Sequence, residues 1–193
     1  MQLTGFEGRV ALVTGAAGGI GEALVRLLAA AGCTVVATDR EAPRVDDAGV
    51  HAFSLDVTDS VAVDALVDRV EASLGPIGLA ASVAGVLHVG DVAGTTDADW
   101  RRVFSVNADG VFHVGRTLAR VMSPRRQGAI VTVSSNAAGV PRHGMAAYAA
   151  SKAAATMFTR CLGLELAPLG IRCNIVAPGS TLTPMQTGMW QDE

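Results

Sequence analysis

A tyrosine and a lysine stand four residues apart in the sequence, at Tyr148 and Lys152. Residues at this spacing share one face of an α-helix, so the lysine ammonium can lie beside the tyrosine hydroxyl. A tyrosine hydroxyl titrates near 10, which is too high for a general base at neutral pH. One ammonium about 4 Å away is worth on the order of 4 kcal/mol, enough to lower that pKa by about three. Tyr148 is therefore a candidate general base that Lys152 activates.

Ser135 ends the β-branched run "GAIVTVSS", thirteen residues before Tyr148. A hydroxyl at the end of a strand can hydrogen-bond a substrate oxygen and hold it for proton and hydride transfer. A tyrosine and a lysine at this spacing also occur by chance in many helices. A glycine-rich turn near the start of the chain favours a catalytic role for this tyrosine and lysine over chance.

That turn, "TGAAGGIG", runs from Thr14 to Gly21, between the apolar run "RVALVTG" and a helical stretch. The first amides of a helix and its dipole favour a dinucleotide pyrophosphate there, and glycine lets the backbone approach it closely. Glu22 excludes an NTPase phosphate loop, which requires a lysine after its last glycine. The cofactor contacts predicted in this turn are Gly15, Ala17, Gly18, Gly19, Ile20 and Gly21.

Asp39 ends the second predicted strand and is the candidate ligand of the adenosine ribose hydroxyls. A carboxylate at about this distance from the glycine turn binds both hydroxyls and repels a 2′-phosphate, which favours NAD over NADP. Arg40, beside it, leaves NADP open because a guanidinium can accept that phosphate. Asp56 and Val57 end the third predicted strand and are expected to border the adenine.

Apolar strands alternate with alanine- and leucine-rich helices along the whole chain. This pattern predicts an α/β fold in one domain, a doubly wound parallel sheet (Rossmann-like) covered by helices on both faces. One helix is predicted over 97–122 and another over 146–170. The crossover between Asp39 and His51 is too short for the usual helix.

Composition excludes several classes of protein. The net charge is −3, and no basic stripe indicates a nucleic-acid surface. No apolar run is long enough to span a membrane, and no secretory signal is present, so we expect a cytoplasmic protein. Cys33, Cys161 and Cys173 are interpreted as reduced, mostly buried thiols, and the four scattered histidines predict no metal site.

Together these motifs resemble the short-chain dehydrogenase/reductase family, and the resemblance covers residues 8–186. It implies an NAD-dependent oxidoreductase, with residues 1–193 forming its Rossmann-like NAD(P)-binding domain. It also implies that Ser135 orients the substrate, Tyr148 is the acid/base, and Lys152 lowers the tyrosine pKa and binds the nicotinamide ribose. Asn107, in "SVNADG", matches a fourth catalytic position that holds a water in a proton relay.

The resemblance assigns further cofactor contacts after the fourth and sixth strands, at Ala84, Gly85, Pro178, Gly179 and Thr183. Two departures from the family pattern stand out. Ser82 replaces an asparagine that usually stabilises the central strands. Members of the family also continue with a substrate lid and a last strand, so we interpret this chain, which ends at Glu193, as lacking both.

Within the family, the short crossover and the segments around Tyr148 resemble members that oxidise a ring carbinol of a cyclohexadiene carboxylate in siderophore or other secondary metabolite biosynthesis. A carboxylate substrate needs a cation, and Arg142, on the loop before Tyr148, can bind it bidentately. The predicted substrate contacts are Leu87, Ser135, Arg142, Met145, Tyr148, Met185 and Gln186.

Three alternatives remain at this stage. A related dehydrogenase acting on a dihydro-3-hydroxyanthranilate or another cyclic alcohol would share every motif. A 3-oxoacyl carrier-protein reductase would prefer NADP, and Asp39 argues against this alternative because its carboxylate repels the 2′-phosphate. A non-catalytic NAD-sensing protein would have lost Tyr148 or Lys152. We expect a small-molecule substrate, no nucleic-acid or membrane partner, and a homotetramer or homodimer built on the helices around Phe112 and Phe158.

Overall fold

The computed structural model describes residues 4–183 and Thr187. Within these residues six strands form one sheet in the order β3-β2-β1-β4-β5-β6, and every pair of neighbours is parallel. The strands are β1 Val10–Thr14, β2 Thr34–Asp39, β3 Val50–Ser54, β4 Ile77–Ser82, β5 Gly128–Val133 and β6 Ile171–Val176. The predicted doubly wound parallel sheet is confirmed.

The helices of the described residues are α1 Gly19–Ala30, α2 Ser60–Ser73, α3 Asp97–Phe104, α4 Gly110–Met122 and α5 Ala146–Leu166. A π-helical turn, Ser105–Asp109, joins α3 to α4 without a break, so the helix predicted over 97–122 is present with a wider turn in its middle. Strand β3 follows β2 with no helix between them, as the short crossover predicts.

Strand β1 separates two apolar layers because its side chains alternate between the faces of the sheet. Val10 and Leu12 pack with residues of α2, α4 and α5, whereas Ala11 and Val13 pack with residues of α1. The order of the strands reverses between β1 and β4, and ligands of open α/β sheets bind at the carboxyl ends of the strands at such a point. The Thr14 hydroxyl lies there and accepts hydrogen bonds from the Val83 and Ala84 N–H groups, at 3.3 and 3.4 Å.

The cysteines correct one expectation. All three are free thiols, but only Cys33 is buried; Cys173 is half-buried, and Cys161 is exposed on α5. Cys161 is exposed because its side of α5 faces away from the sheet, where an apolar thiol has no packing partner to bury it.

None of the described helices is both long and apolar enough to cross a membrane. In the same part of the chain, no three histidine, cysteine or acidic side chains are grouped as metal ligands would be.

Candidate active site

A cavity of about 790 Å³ extends along the carboxyl ends of the strands on both sides of the reversal point. It gathers predicted site residues from every part of the chain: Gly15, Gly18, Gly19, Ile20, Gly21, Asp39, Arg40, Asp56, Val57, Ala84, Gly85, Leu87, Ser135, Arg142, Met145, Tyr148, Lys152, Pro178, Gly179 and Thr183. Two predicted residues, Ala17 and Asn107, do not line it. Met185 and Gln186 lie outside the described residues.

The glycine-rich turn connects β1 to α1 along one wall of this cavity. Gly15 has a φ of +70°, and a Cβ there would lie 2.5 Å from the Ala84 backbone nitrogen. A Cβ on Gly21 would overlap the Gly15 carbonyl oxygen, whereas one on Gly18 would make an ordinary contact at 3.5 Å. Close packing of the turn on Ala84 therefore requires Gly15, and close packing of α1 on the turn requires Gly21, while Gly18 lines the cavity in front of the helix.

Asp39 ties this turn to the end of β2. Its carboxylate accepts hydrogen bonds from the Ala17 N–H at 3.0 Å and from the Arg40 N–H at 2.8 Å. Ala17 thus belongs to the site through its backbone, although its side chain is exposed and lies outside the cavity lining. The carboxylate keeps acceptor positions beyond these two bonds, since an ionised aspartate has about four.

Asp56 and Val57 form the far end of the cavity. Hydrogen bonds from the Thr58 backbone N–H and hydroxyl hold the pKa of Asp56 below its usual value. Helix α4 supports this end: the His113 Nδ1 lies 2.9 Å from the Val57 carbonyl oxygen, and a Cβ on Gly110 would lie 2.6 Å from the Val57 side chain. His113 stands in no motif, and Gly110, although it ends "SVNADG", was given no role there, so sequence reasoning missed both.

Ser135, Tyr148 and Lys152 meet near the middle of the cavity. Ser135 is extended two residues after the end of β5, and its hydroxyl lies close enough to that of Tyr148 to favour the phenolate. Lys152 is 3% exposed; its Nζ donates a hydrogen bond to the Val133 carbonyl oxygen at 2.9 Å and lies 5.8 Å from the centre of the Tyr148 ring. The structure therefore brings together the three residues that the spacing singled out.

The acid–base properties of this group differ from the sequence-based expectation. Burial raises the pKa of Tyr148 above its ordinary value, and the hydrogen bond from Ser135 opposes this effect only in part. Burial also lowers the pKa of Lys152 to about 8. The spacing predicted a lowered tyrosine pKa, and in the protein alone the direction is opposite because loss of hydration of the phenolate is the larger effect.

Asn107 is fully buried in the π-helical turn, behind the cavity wall. Its Oδ1 accepts a hydrogen bond from the Val86 N–H at 2.8 Å, and its Nδ2 donates to the Val86 carbonyl at 2.9 Å and to the Ser151 hydroxyl at 3.0 Å. A Cβ on Gly85 would lie 3.3 Å from that Oδ1 and 3.1 Å from the Lys152 Nζ. Asn107 thus fixes the segment after β4 against α5; its part in a water relay stays a prediction.

Leu87 and Met145 line the cavity from two segments that are joined at Gly90. The Gly90 N–H donates to the Gly144 carbonyl at 2.9 Å, and Gly90 and Met145 form an isolated β-bridge. Sequence reasoning missed Arg102, Ser105 and Val106, which also line the cavity. These three side chains face the cavity because of how α3 and the π-helical turn are rotated about the helix axis. No sequence motif indicates that rotation.

Comparison with known proteins identifies the family. Residues 9–193 match the family described as short chain dehydrogenase, and the chain belongs to it. It is 51% identical, over its whole length and 77% of the relative, to a 2,3-dihydro-2,3-dihydroxybenzoate dehydrogenase of Bacillus subtilis (strain 168). A 2,3-dihydro-2,3-dihydroxybenzoate dehydrogenase of Escherichia coli (strain K12) is 38% identical, with 96% of this chain and 74% of that protein covered.

Among solved structures, a 3-ketoacyl-(acyl-carrier-protein) reductase from Brucella melitensis complexed with NADH superposes with a TM-score of 0.90. The two are 31% identical, and the alignment covers 94% of this chain and 80% of the other. This chain is therefore an oxidoreductase of the family, with a nicotinamide cofactor. The cavity fits such a group because no side chain caps the start of α1, and the first residues of that helix, Gly19, Ile20 and Gly21, line the cavity.

Proposed function

We propose that this protein oxidises 2,3-dihydro-2,3-dihydroxybenzoate to 2,3-dihydroxybenzoate with NAD, as a step of siderophore biosynthesis. The observation that carries the proposal is the convergence of Ser135, Tyr148 and the buried Lys152 in one cavity that begins at the glycine turn. The names of the Bacillus subtilis and Escherichia coli relatives support the choice of substrate.

In the proposed mechanism, the ring carbinol oxygen lies between Ser135 and Tyr148. Ser135 donates a hydrogen bond to this oxygen, and Tyr148, as phenolate, takes the carbinol proton. NAD, when bound, would supply the acceptor for the hydride that leaves the carbinol carbon. Loss of one proton and one hydride gives a ketone, whose tautomerisation forms the aromatic catechol.

Because burial raises the pKa of Tyr148, the phenolate needs positive charge close by. Lys152 supplies an ammonium on the same helix face, and the oxidised nicotinamide ring adds a second positive charge when it is bound. The hydrogen bond from Lys152 to the Val133 carbonyl holds that ammonium in place. Lys152 would also bind the nicotinamide ribose. Asn107 hydrogen-bonds the Val86 N–H and carbonyl groups, and so it fixes the neighbouring Gly85 beside the Lys152 ammonium.

The proposed cofactor is NAD rather than NADP, because the Asp39 carboxylate stands at the end of β2 and repels a 2′-phosphate. Asp56 and Val57 would border the adenine, and Ala84, Gly85, Pro178, Gly179 and Thr183 the nicotinamide half. Arg142, exposed on the loop before α5, is the proposed partner of the substrate carboxylate, with Leu87 and Met145 as apolar walls. A homotetramer or homodimer and a cytoplasmic location stay predictions.

The test follows the absorbance of reduced nicotinamide with purified protein and a panel of alcohols. We expect 2,3-dihydro-2,3-dihydroxybenzoate with NAD to give the highest kcat/KM, above the same substrate with NADP and above a hydroxycyclohexane carboxylate. Tyr148→Phe should lower kcat by about 10² to 10⁴, the usual contribution of a positioned acid–base group. NADH binding, measured by nucleotide fluorescence, should remain.

Two outcomes would contradict the proposal. Undiminished turnover by Tyr148→Phe would remove the proton acceptor from the mechanism. A higher kcat/KM for reduction of a 3-oxoacyl thioester with NADPH would favour the carrier-protein reductase instead.

A further inference from the structure

Arg102 is a cationic side chain of the cavity to which nothing so far assigns a role. It lies on α3, one turn before Ser105 and Val106, and lines the same cavity as Ser135 and Tyr148. Its side chain is 49% exposed. The guanidinium Nη2 lies 3.5 Å from the Leu87 carbonyl oxygen and 3.9 Å from the Asp99 Oδ1.

The charges along the cavity are divided between its two ends. Among the described lining residues, both acidic side chains, Asp39 and Asp56, stand at the adenosine end with Arg40. The Lys152 ammonium is buried and bonded to the protein backbone. The other two charged lining residues of that part of the chain are Arg102 and Arg142. The described lining of the substrate end thus has two guanidinium groups and no acidic side chain, with the Asp99 carboxylate behind Arg102, which favours an anionic ring substrate.

Two contacts on the protein, to the Leu87 carbonyl oxygen and to Asp99, orient the Arg102 guanidinium, whereas Arg142 stands exposed on a loop. Asp99, which pairs with Arg102, belongs to the first turn of α3, where its N–H donates to the Thr96 hydroxyl at 3.1 Å and its Oδ2 accepts from that hydroxyl at 2.6 Å. The same carboxylate faces the His88 Nδ1 at 3.6 Å. A cation that is already oriented loses less entropy on binding than a free loop side chain.

The contacts that orient Arg102 are long, so they do not consume its hydrogen-bonding capacity. A guanidinium has five N–H donors in a planar fork, and both protein contacts of Arg102 use Nη2. The remaining donors are free to form the bidentate pair that guanidinium groups make with carboxylates.

We propose that Arg102 is a specificity residue that selects ring substrates bearing a carboxylate, by binding that carboxylate directly from α3. This inference rests on the proposed function and deepens it, since it gives the acid group of the substrate a fixed partner besides Arg142. It also gives a role to an arginine that α3 carries on the cavity wall, far in sequence from Ser135, Tyr148 and Lys152.

The test compares Arg102→Gln with Arg101→Gln. Arg101 is the matched control because it stands on the same helix, is 76% exposed, pairs with Asp97 and does not line the cavity. Each variant is assayed with NAD and two substrates, the dihydrodiol carboxylate and its carboxamide. Losing a hydrogen bond to a charged group costs about 1.5 to 3 kcal/mol, so Arg102→Gln should lower kcat/KM for the carboxylate at least about tenfold. The carboxamide should change less than about twofold, and Arg101→Gln should change neither.

An equal loss on both substrates would show that Arg102 acts only by holding Leu87, and would overturn the proposal, as would an unchanged kcat/KM for the carboxylate. A second measurement needs no turnover: calorimetric titration with 2,3-dihydroxybenzoate and with its carboxamide. If the wild type oxidises neither substrate but binds the acid more tightly, and Arg102→Gln abolishes this preference, the proposed function fails while the role of Arg102 stands. No preference in the wild type would overturn that role.

Discussion

At the scale of single residues, the site depends on an ammonium that is almost completely buried in the cavity wall. Lys152 is the only lysine of the sequence and Tyr148 its only tyrosine, and both lie in one turn of α5. Burial works against the charged form of each, because it lowers the pKa of Lys152 and raises that of Tyr148. Ionisation of either group alone is costly. Ionisation of both together is favourable, because the ammonium and the phenolate stabilise each other.

The lowered lysine pKa predicts a pH dependence of stability. The Lys152 pKa is about 8 in the folded protein and 10.5 as its ordinary value, so between these values the unfolded chain binds more protons. Stability therefore rises with pH through this window and is lowest below it. From about pH 7.5 to about pH 9.5 the free energy of unfolding of the wild type should rise by about 2 kcal/mol relative to Lys152→Met.

Urea denaturation at a series of pH values measures this difference. Tyr148→Phe is the control: the pKa of Tyr148 is raised from 10, so its removal should not change the slope in this window. Curves for the wild type and Lys152→Met that stay parallel would mean that the buried ammonium does not destabilise the fold.

At the scale of the elements, the glycine turn must pack closely on its neighbours and must leave room for the ligand, and different glycines meet these two requirements. Gly15 and Gly21 satisfy close backbone packing, with Gly15 against Ala84 and Gly21 against Gly15. Gly18 has a φ of −84°, which any residue adopts, and has room for a Cβ. The reason for a glycine at Gly18 is therefore the ligand and not the fold.

This division predicts opposite behaviour of two alanine variants. Gly21→Ala should destabilise the protein by several kcal/mol, roughly the upper range for overpacking, because its Cβ overlaps backbone that cannot move away. Gly18→Ala should melt within about 2 °C of the wild type, while its affinity for NADH falls because the methyl group blocks the approach of the pyrophosphate.

Thermal melting and nucleotide fluorescence give the two readouts. Unchanged NADH affinity in Gly18→Ala would place the pyrophosphate elsewhere.

The sequence predicted the elements well where their pattern is regular. The alternation of strands and helices predicted the parallel sheet, and β1 shows why, since its residues are buried on both faces.

The π-helical turn around Asn107 was not predicted, because a change from i→i+4 to i→i+5 hydrogen bonding does not alter the apolar periodicity of the sequence. His113 and Arg102 were not predicted for a related reason. Each contacts the site because its side of a helix faces it, and the orientation of the helix depends on packing between segments distant in sequence. The direction of the Tyr148 pKa depends on burial, which spacing does not reveal.

At the scale of the whole molecule, α4 and α5 expose apolar side chains beside each other. Phe112 is 41% exposed and Met157 57%, and the Phe112 ring packs edge to face on Phe158, which is partly buried. Leu164, further along α5, is 79% exposed. An apolar surface of this kind favours contact with a second copy of the chain, which agrees with the homotetramer or homodimer that we expect.

We predict that Met157→Glu lowers the mass of the particle in solution, because a carboxylate in the centre of an apolar contact loses its hydration. Leu27→Glu is the matched control, since Leu27 is 58% exposed on α1, which packs on the opposite face of the sheet. Light scattering coupled to size-exclusion chromatography measures the mass. Equal masses for Met157→Glu and the wild type would exclude this surface as the contact.

The burial of Lys152 in the cavity wall has a practical consequence for labelling. Amine-directed reagents have one side-chain target in the 193-residue sequence, and that target lines the nucleotide cavity. Reductive methylation of this sequence with carbon-13 formaldehyde would thus place a single side-chain isotope label at the centre of the chemistry. Its NMR signal, and the extent of modification counted by mass spectrometry, would report occupancy of the cavity, with no background from other lysines of these 193 residues.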